Sequence, residues 1–196
     1  MRRPFFAAGL WALLALPAAG GWRDAPLPPE AAQLNRTADN AASSETAARL
    51  YAQSIRLCPS NGPALYGLGR VLLDQDRAAD ALKVFRRLDA LCPADPDVLE
   101  ALAAAFARLP EPRRAEIAEG LAFAEQAVQL PPARPQAWHV LSVLRYLDGD
   151  YAAAADAARR ALELDALTPS DPETTALYQQ QEIACNDALS VFSPLD

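Results

Sequence analysis

The chain has 196 residues, of which 52% are hydrophobic and 22% are charged, and its formal net charge is −7. The acidic excess argues against nucleic-acid binding, because phosphate backbones would be repelled. The length suits one compact domain or one short repeat array.

The first twenty residues differ in composition from everything that follows. Arg2 and Arg3 precede the apolar run FFAAGLWALLAL, residues 5–16, and small residues ending in Gly20 come next. This order predicts a secretory signal peptide, residues 1–20, cleaved near Gly20. The run is shorter than the roughly 20 residues of a membrane-spanning helix, and an uncleaved signal anchor is the alternative. We expect an exported protein, periplasmic in a bacterium, with no membrane span in the mature chain. After cleavage, 16 basic and 25 acidic side chains leave a net charge of −9.

Prolines and helical periodicity divide the rest of the chain into units of similar length. Pro59, Pro93 and Pro132 each follow an amphipathic stretch and precede a polar turn, at spacings of 34 and 39 residues. Periods of this size predict stacked helix hairpins rather than a globule with one central core. After an irregular linker at 21–34, we expect a repeat domain at 35–168, with units at about 28–61, 62–95, 96–134 and 135–168.

The second and fourth units carry the clearest motifs. The second has LYGLGRVL and ADALKVF before Pro93, and the fourth has WHVLSVLR and DYAAAADAARRALELD. Small residues (Gly69, Ala103 and Ser142) recur where the two helices of a hairpin must approach. From Pro28 to Asp165 the pattern resembles the tetratricopeptide repeat, W-x-x-L-G-x-x-Y, then A-x-x-x-F, then P. The resemblance implies an all-α, right-handed solenoid of antiparallel hairpins, with three good repeats and a degenerate first one whose first helix is frayed.

The third unit is longer than the second, and the excess falls within RLPEPRRAEIAEG, residues 108–120. We expect Pro110 and Pro112 to end the first helix and the residues after them to lengthen the second helix. The result would be a charged projection at one edge of the stack, and a dedicated contact loop is the alternative.

Residues 169–196 are predicted to form a C-terminal capping helix and tail. Asp171 is placed to cap the helix, with Pro172 in its first turn and Glu173 near its positive end. Repeat arrays need terminal caps that cover their last hydrophobic surface. The face expected to do so contains Leu177, Ala184, Ala188 and Val191.

Signals of catalysis are nearly absent from the sequence. His139 is the only histidine, and no serine-hydrolase, metalloprotease, phosphate-loop or calcium-loop motif occurs. Gly67 and Gly69 lie inside a predicted helix, where packing explains them. Asn35-Arg36-Thr37 is a glycosylation sequon. We therefore predict no catalytic, cofactor-binding or metal site and a protein that is not an enzyme.

Three cysteines are present, at equivalent places in two successive units and in the terminal helix. Cys58 and Cys92 would lie about 10 Å apart in neighbouring hairpins, beyond the ~7 Å between Cα atoms that a disulfide tolerates. Both are interpreted as small buried apolar residues. Cys185 is the better candidate for a reactive or intermolecular thiol.

A second stripe of residues, offset from the packing set, recurs on the first helix of each unit. The family resemblance implies that this face lines a concave groove for a partner peptide or helix. Lysine and asparagine, which form a carboxylate clamp in some family members, are absent from it, so an extended or helical apolar segment fits better. Alternatively, the N-terminal tail with Trp22, or the C-terminal segment, fills the groove. The stripe comprises Tyr66, Arg70, Leu73, Glu100, Ala104, Ala107, His139, Val143 and Tyr146.

Three functions are compatible with this sequence. The first is an exported, non-enzymatic adaptor that binds a protein or peptide in its groove and assists assembly or maturation of an envelope complex. The second is a structural accessory subunit of a larger envelope complex. The third is an enzyme or redox factor that uses Cys185 or His139.

Overall fold

A computed structural model describes residues 21–132 and 134–192 of the chain, and the predicted signal peptide lies outside this range. The described residues form nine α-helices and no β-strand. The helices are α1 (Pro29–Asp39), α2 (Ser44–Leu57), α3 (Gly62–Asp74), α4 (Ala78–Leu91), α5 (Pro96–Ala107), α6 (Arg114–Gln129), α7 (Pro135–Asp148), α8 (Tyr151–Leu167) and α9 (Pro172–Phe192).

The helices stack as antiparallel hairpins in chain order. Each helix packs against the next one, and each odd-numbered helix also contacts the next odd-numbered helix. In the part of the chain that the structure describes, the backbones of even-numbered helices do not pack on one another. Two of them are linked by a salt bridge of 2.7 Å between Arg86 of α4 and Glu119 of α6. The odd-numbered helices therefore form the inner layer and the even-numbered helices the outer layer. The predicted all-α helical repeat fold is confirmed.

Short polar residues start most of these helices. The side chains of Ser43, Asn61, Asp95 and Asp150 each accept a hydrogen bond from a backbone N–H in the first turn of the following helix. Such caps satisfy donors that have no partner inside the helix. Proline occupies the first turn of α1, α3, α5 and α7, where its missing N–H costs nothing. The caps Asn61 and Asp95 lie between successive hairpins, whereas Ser43 and Asp150 lie between the two helices of one hairpin.

A glycine lets the two helices approach in each of the two central hairpins. A Cβ atom on Gly69 of α3 would lie 2.2 Å from the ring of Phe85 in α4. In the next hairpin the positions are exchanged: the glycine is Gly120 of α6, and a Cβ there would lie 2.7 Å from the Cβ of Phe106 in α5. Both phenylalanines are at most 1% exposed. In both hairpins, therefore, one large ring packs directly on the backbone of the partner helix.

The first helix is regular, contrary to the frayed helix and irregular linker that the sequence predicted. Asn35 of α1 donates to Asn61 Oδ1 at 3.1 Å, and Asn61 donates to Ser54 Oγ at 2.8 Å. Ser54 in turn donates to the Ala31 carbonyl of α1 at 2.9 Å. These polar groups are all buried, so each hydrogen bond is protected from water. The network fixes α1 on α2 and α3 where apolar residues are few.

The sequon asparagine belongs to this network. Asn35 is only 7% exposed, and its amide both donates to and accepts from Asn61. A glycan on this nitrogen would break the network and would have no route to solvent. The Asn35-Arg36-Thr37 motif is therefore a structural element in the folded chain, not an accessible acceptor.

The longer third unit divides its extra residues between a connection and a helix. α5 ends at Ala107 and α6 begins at Arg114, so Pro110 and Pro112 lie in the connection. α6 has 16 residues, compared with 14 in α4, so the predicted lengthening of the second helix is confirmed. Glu116 accepts from the Arg113 backbone N–H at 2.9 Å and pairs with its guanidinium at 2.7 Å. These bonds cap the N-terminus of α6, which begins with a charged, exposed turn.

The terminal helix begins as predicted but turns a different face toward the stack. Asp171 accepts from the backbone N–H groups of Glu173 and Thr174, which confirms the cap. The predicted covering face is wrong in part, because Leu177 is 51% exposed and Val191 is 71% exposed. Tyr178 is buried in place of Leu177, because its large ring packs on α7 and its hydroxyl donates a hydrogen bond to Gln136. The buried residues of α9 are Tyr178, Cys185 and Ala188.

Candidate functional site

The inner layer carries an open trough between α3 and α5. The trough has a volume of about 320 Å³. Five of the nine predicted groove residues line it, and sequence reasoning missed Arg108 and Gln136, which extend it toward α7. The five are Tyr66, Arg70, Leu73, Glu100 and Ala104.

The other four predicted groove residues do not line this trough. Ala107 is half-buried and packs on the core. The ring of His139 lies 5.0 Å from the ring of Tyr178 in α9, and Tyr146 packs on the small cluster around Cys185. Val143 is half-buried between them along α7. Helix α9 therefore borders the α7 part of the predicted stripe, and the open part is formed by α3 and α5.

The N-terminal segment packs on the opposite end of the trough. Trp22 is 5% exposed, and its ring lies 5.0 Å from the ring of Tyr66. A Cβ on Gly62 would lie 2.7 Å from Trp22, so glycine makes room for the indole. The guanidinium of Arg23 stacks 4.1 Å from the centre of the Trp22 ring. The tail thus covers one edge of Tyr66, as the self-occlusion alternative expected, without filling the trough.

A charge network joins this segment to α5 and to the start of α7. Asp97 forms salt bridges with both Arg23 and Arg134, and Arg134 also lies 3.0 Å from Glu100. Burial alone would raise the pKa of Asp97, but the hydrogen bonds and charges of Arg134 and Arg23 outweigh it and lower that pKa. For Glu100, burial dominates and raises the pKa. The sequence carried no signal for this network, because Asp97 and Arg134 lie at helix starts in different units.

Two arginines at the trough are free of acidic partners. Neither Arg70 nor Arg108 forms a salt bridge with any described carboxylate. Both are exposed, and both line the trough beside the apolar side chains of Leu73 and Ala104. The acidic residue Asp74 also lines the trough, which is therefore polar and apolar in nearly equal parts. A lining of this kind with two available guanidinium groups suits a segment that carries both apolar and hydrogen-accepting groups.

The histidine and the terminal cysteine do not form reactive sites. Burial, helped by the charge of Arg108, lowers the pKa of His139, so the imidazole is neutral at pH 7. Its Nδ1 atom is buried and makes no hydrogen bond within the described residues. Cys185 is fully buried beside Ser142 Oγ at 3.6 Å, and burial raises the pKa of its thiol. A neutral, covered thiol is a poor nucleophile, so the prediction that Cys185 is the most reactive thiol is wrong.

The other two cysteines are the accessible ones. Cys58 and Cys92 end α2 and α4 and are half-buried, which corrects their interpretation as core residues. All three cysteines are free thiols. Burial, with the nearby charge of Asp95, raises the pKa of Cys92.

Comparison with known proteins finds a similar family for one part of the chain. Residues 36–96 match the family model described as tetratricopeptide repeat. Over these residues the chain is similar to that repeat. Domains of this kind are generally interaction modules without catalytic activity, and they bind protein partners. The search of curated proteins returned no match.

Several solved structures share the fold over most of the chain. MamA from Desulfovibrio magneticus RS-1 is 17% identical, with a TM-score of 0.62, covering 85% of this chain and 94% of that one. A thermophilic repeat protein of Thermus thermophilus is 21% identical, with a TM-score of 0.61 and coverage of 82% and 89%. The Sgt2 repeat domain from Aspergillus fumigatus is 19% identical, with a TM-score of 0.55 and coverage of 69% and 86%. At these identities the likeness concerns the fold alone.

The repeat solenoid has a second, larger hollow between α6 and α7. It measures about 790 Å³ and is mostly apolar, and sequence reasoning did not identify it. Trp138 lies in its wall with a buried indole N–H that has no acceptor among the described residues. Arg145, which replaces the aromatic residue expected in the repeat, pairs with Glu125 at the rim.

Two features are absent from the residues that the structure describes. None of the helices there is both long and apolar enough to cross a lipid bilayer. No group of three or more His, Cys, Asp or Glu side chains is placed there to hold a metal ion.

Proposed function

We propose that this protein is an exported, non-enzymatic adaptor that holds a segment of a partner protein in the trough between α3 and α5. The observation that carries the proposal is that Arg70 and Arg108, exposed and without a salt bridge to any described carboxylate, line the trough beside apolar side chains. Aromatic and arginine side chains dominate binding energy at protein interfaces. The bound segment is extended or helical, with apolar residues over Leu73 and Ala104 and an acidic or amide side chain near the arginines.

The charge network beside the trough supports this role. Asp97, Arg23 and Arg134 hold the N-terminal segment and the start of α7 against α5. The walls of the trough are thus set before a partner arrives, and a preformed site loses less entropy on binding. Tyr66 is fixed between Trp22 and Phe85, with ring centres 5.0 Å and 6.1 Å away.

The proposal places the adaptor in a bacterial periplasm, where it assists assembly or maturation of an envelope complex. The signal-peptide pattern of residues 1–20 supports export. Mass spectrometry of the protein secreted by its own export pathway tests this point. A mature chain that begins at Gly21 is expected, and a chain retaining Met1 would leave only the anchored alternative.

The trough is tested by site-specific photo-crosslinking in envelope extract. A crosslinking amino acid at Arg70 or Arg108 is expected to capture one defined protein, whereas the same group at Arg49, exposed on α2, captures none. The charge reversals Arg70→Glu and Arg108→Glu together are expected to weaken binding of that protein about tenfold or more. Equal capture from all three positions, or unchanged binding by the reversed variant, would contradict the proposal.

The alternative is a structural accessory subunit embedded in a larger envelope complex. The exposed apolar residues of α9, including Leu177 and Val191, are the observation that favours it. Sedimentation of the purified protein separates the two functions. A stable, soluble monomer supports the adaptor, and a chain that aggregates unless another subunit is present supports the accessory subunit.

A further inference from the structure

Helix α9 occupies the position of the first helix of a further hairpin. It packs against α8 and α7 in the same way that α7 packs against α6 and α5. Helices α3, α5 and α7 each have a second helix from their own hairpin on the other side. Within the described residues α9 has none, and only three of its 21 residues are buried. One side of α9 is therefore without a partner.

The uncovered side of α9 carries a regular stripe. Glu173, Leu177, Ala184, Asp187 and Val191 follow one another at spacings of four, seven, three and four, which places them along one helical face. The two large apolar side chains on this face are 51% and 71% exposed. The apolar positions at spacings of seven are typical of a helix that packs against another helix.

The charges around the stripe are all of one sign. Between residues 161 and 192 the sequence has six acidic residues and no lysine or arginine. Glu173, Glu182 and Asp187 form no salt bridge with any described residue. A second copy of this chain would bring the same carboxylates against them, and anionic lipid would be repelled as well. Lysine and arginine are the complementary side chains.

We propose that α9 is a docking surface for an amphipathic helix of a partner protein, with an apolar face flanked by lysine or arginine residues. The partner helix packs along Leu177, Ala184 and Val191 and pairs with Glu173 and Asp187. It thereby takes the position that a second helix of the same hairpin would have beside α9. This surface is separate from the trough between α3 and α5 and does not depend on the function proposed for it.

The test uses a defined probe, a fluorescent amphipathic peptide of about 20 residues, which matches the length of α9. It consists of leucine at the packing positions and lysine at the flanking ones. Fluorescence anisotropy with the full chain is expected to show saturable binding that weakens as salt is added. The same peptide with glutamate in place of lysine is expected not to bind.

Variants locate the binding surface. Leu177→Gln with Val191→Gln is expected to weaken binding at least tenfold, and Glu173→Gln with Asp187→Asn about threefold at low salt. Leu57→Gln is the matched control, because Leu57 is also 51% exposed but lies at the end of α2. This control is expected to bind like the unaltered protein.

Four results would overturn the proposal. The first is that the lysine peptide does not bind, and the second is that the Leu177→Gln and Val191→Gln double variant binds it as tightly as the unaltered protein does. The third is a dimer in sedimentation that the double variant abolishes. The fourth is binding to anionic vesicles that the double variant abolishes. The dimer would assign the surface to a second copy of the chain, and the vesicles would assign it to a membrane. Failure of the trough variants Arg70→Glu and Arg108→Glu to affect the peptide is expected and keeps the two sites distinct.

Discussion

At the first end of the stack, Asn35, Ser54 and Asn61 form a buried chain of hydrogen bonds that holds α1 in place. At the other end, α9 is held by the ring of Tyr178 and by Cys185, and four of its large apolar side chains remain in water. Buried polar groups therefore stabilise the first end, and they must keep this one arrangement to stay hydrogen-bonded. The last end has a shallow apolar contact that can accept a further helix.

The polar network is the place where the largest loss of stability is expected. Asn61→Ala removes the cap of α3 and leaves the amide of Asn35 and the hydroxyl of Ser54 without that partner. We expect the free energy of unfolding to fall by about 3 kcal/mol. Urea unfolding measures it, with Asn40→Ala, at an exposed amide, as the control. Equal losses in both variants would mean that burial of the network has no energetic consequence.

The reaction rates of the three cysteine thiols measure how firmly α9 is packed against the stack. With single-cysteine variants under native conditions, Cys185 is expected to react with a disulfide reagent at least tenfold more slowly than Cys58 or Cys92, because only Cys185 is fully buried. In denaturant all three rates should converge. A native Cys185 that reacts as fast as Cys58 would show that α9 is open in solution.

A smaller effect is expected from pH at the α7–α9 contact. Burial holds the pKa of His139 in the folded protein below its usual value, so the unfolded chain binds the proton more readily. Stability should therefore fall as pH drops through the usual histidine range near 6.5. Unfolding at several pH values should show this loss in the unaltered protein, and His139→Gln should lack that part of it. If the stability of the His139→Gln variant fell with pH in the same way as that of the unaltered protein, His139 would not be the group responsible.

The smallest effect is expected on the uncovered side of α9. Leu177→Gln changes a side chain that is 51% exposed, so the free energy of unfolding should shift by less than about 0.5 kcal/mol. Leu144→Gln, at a fully buried residue of the neighbouring α7, is the contrasting variant and should be strongly destabilising. A large loss for Leu177→Gln would show that this face is covered within the chain itself.

The repeat fold was predictable because proline spacing and apolar periodicity are local signals. The spacing of Tyr66, Arg70 and Leu73 likewise placed them on one helical face, and the family resemblance implied that this face is the inner one. The α1 network was not predictable, because Asn35 and Asn61 are polar residues, a type that usually lies at the surface or in turns. Only their meeting in three dimensions makes them core residues.

The terminal helix shows a different limit of the sequence. Leu177 and Val191 fit a packing face as well as Tyr178 and Cys185 do, since both sets repeat every seven residues or nearly so. Packing of the Tyr178 ring on His139 and its bond to Gln136 decide between the two faces. Such contacts between units have no sequence signature, and the same holds for the salt bridges of Arg134.

The exchange of glycine and phenylalanine between the two central hairpins makes their helices non-interchangeable. Pairing α3 with α6 would set Gly69 against Gly120 and leave a void, whereas pairing α5 with α4 would set Phe106 against Phe85 in space for one ring. Neither shuffled chimera could regain dense packing by small adjustments. Register along this array is thus encoded by steric complementarity, and whole hairpins, never single helices, are the modules that evolution or an engineer can recombine.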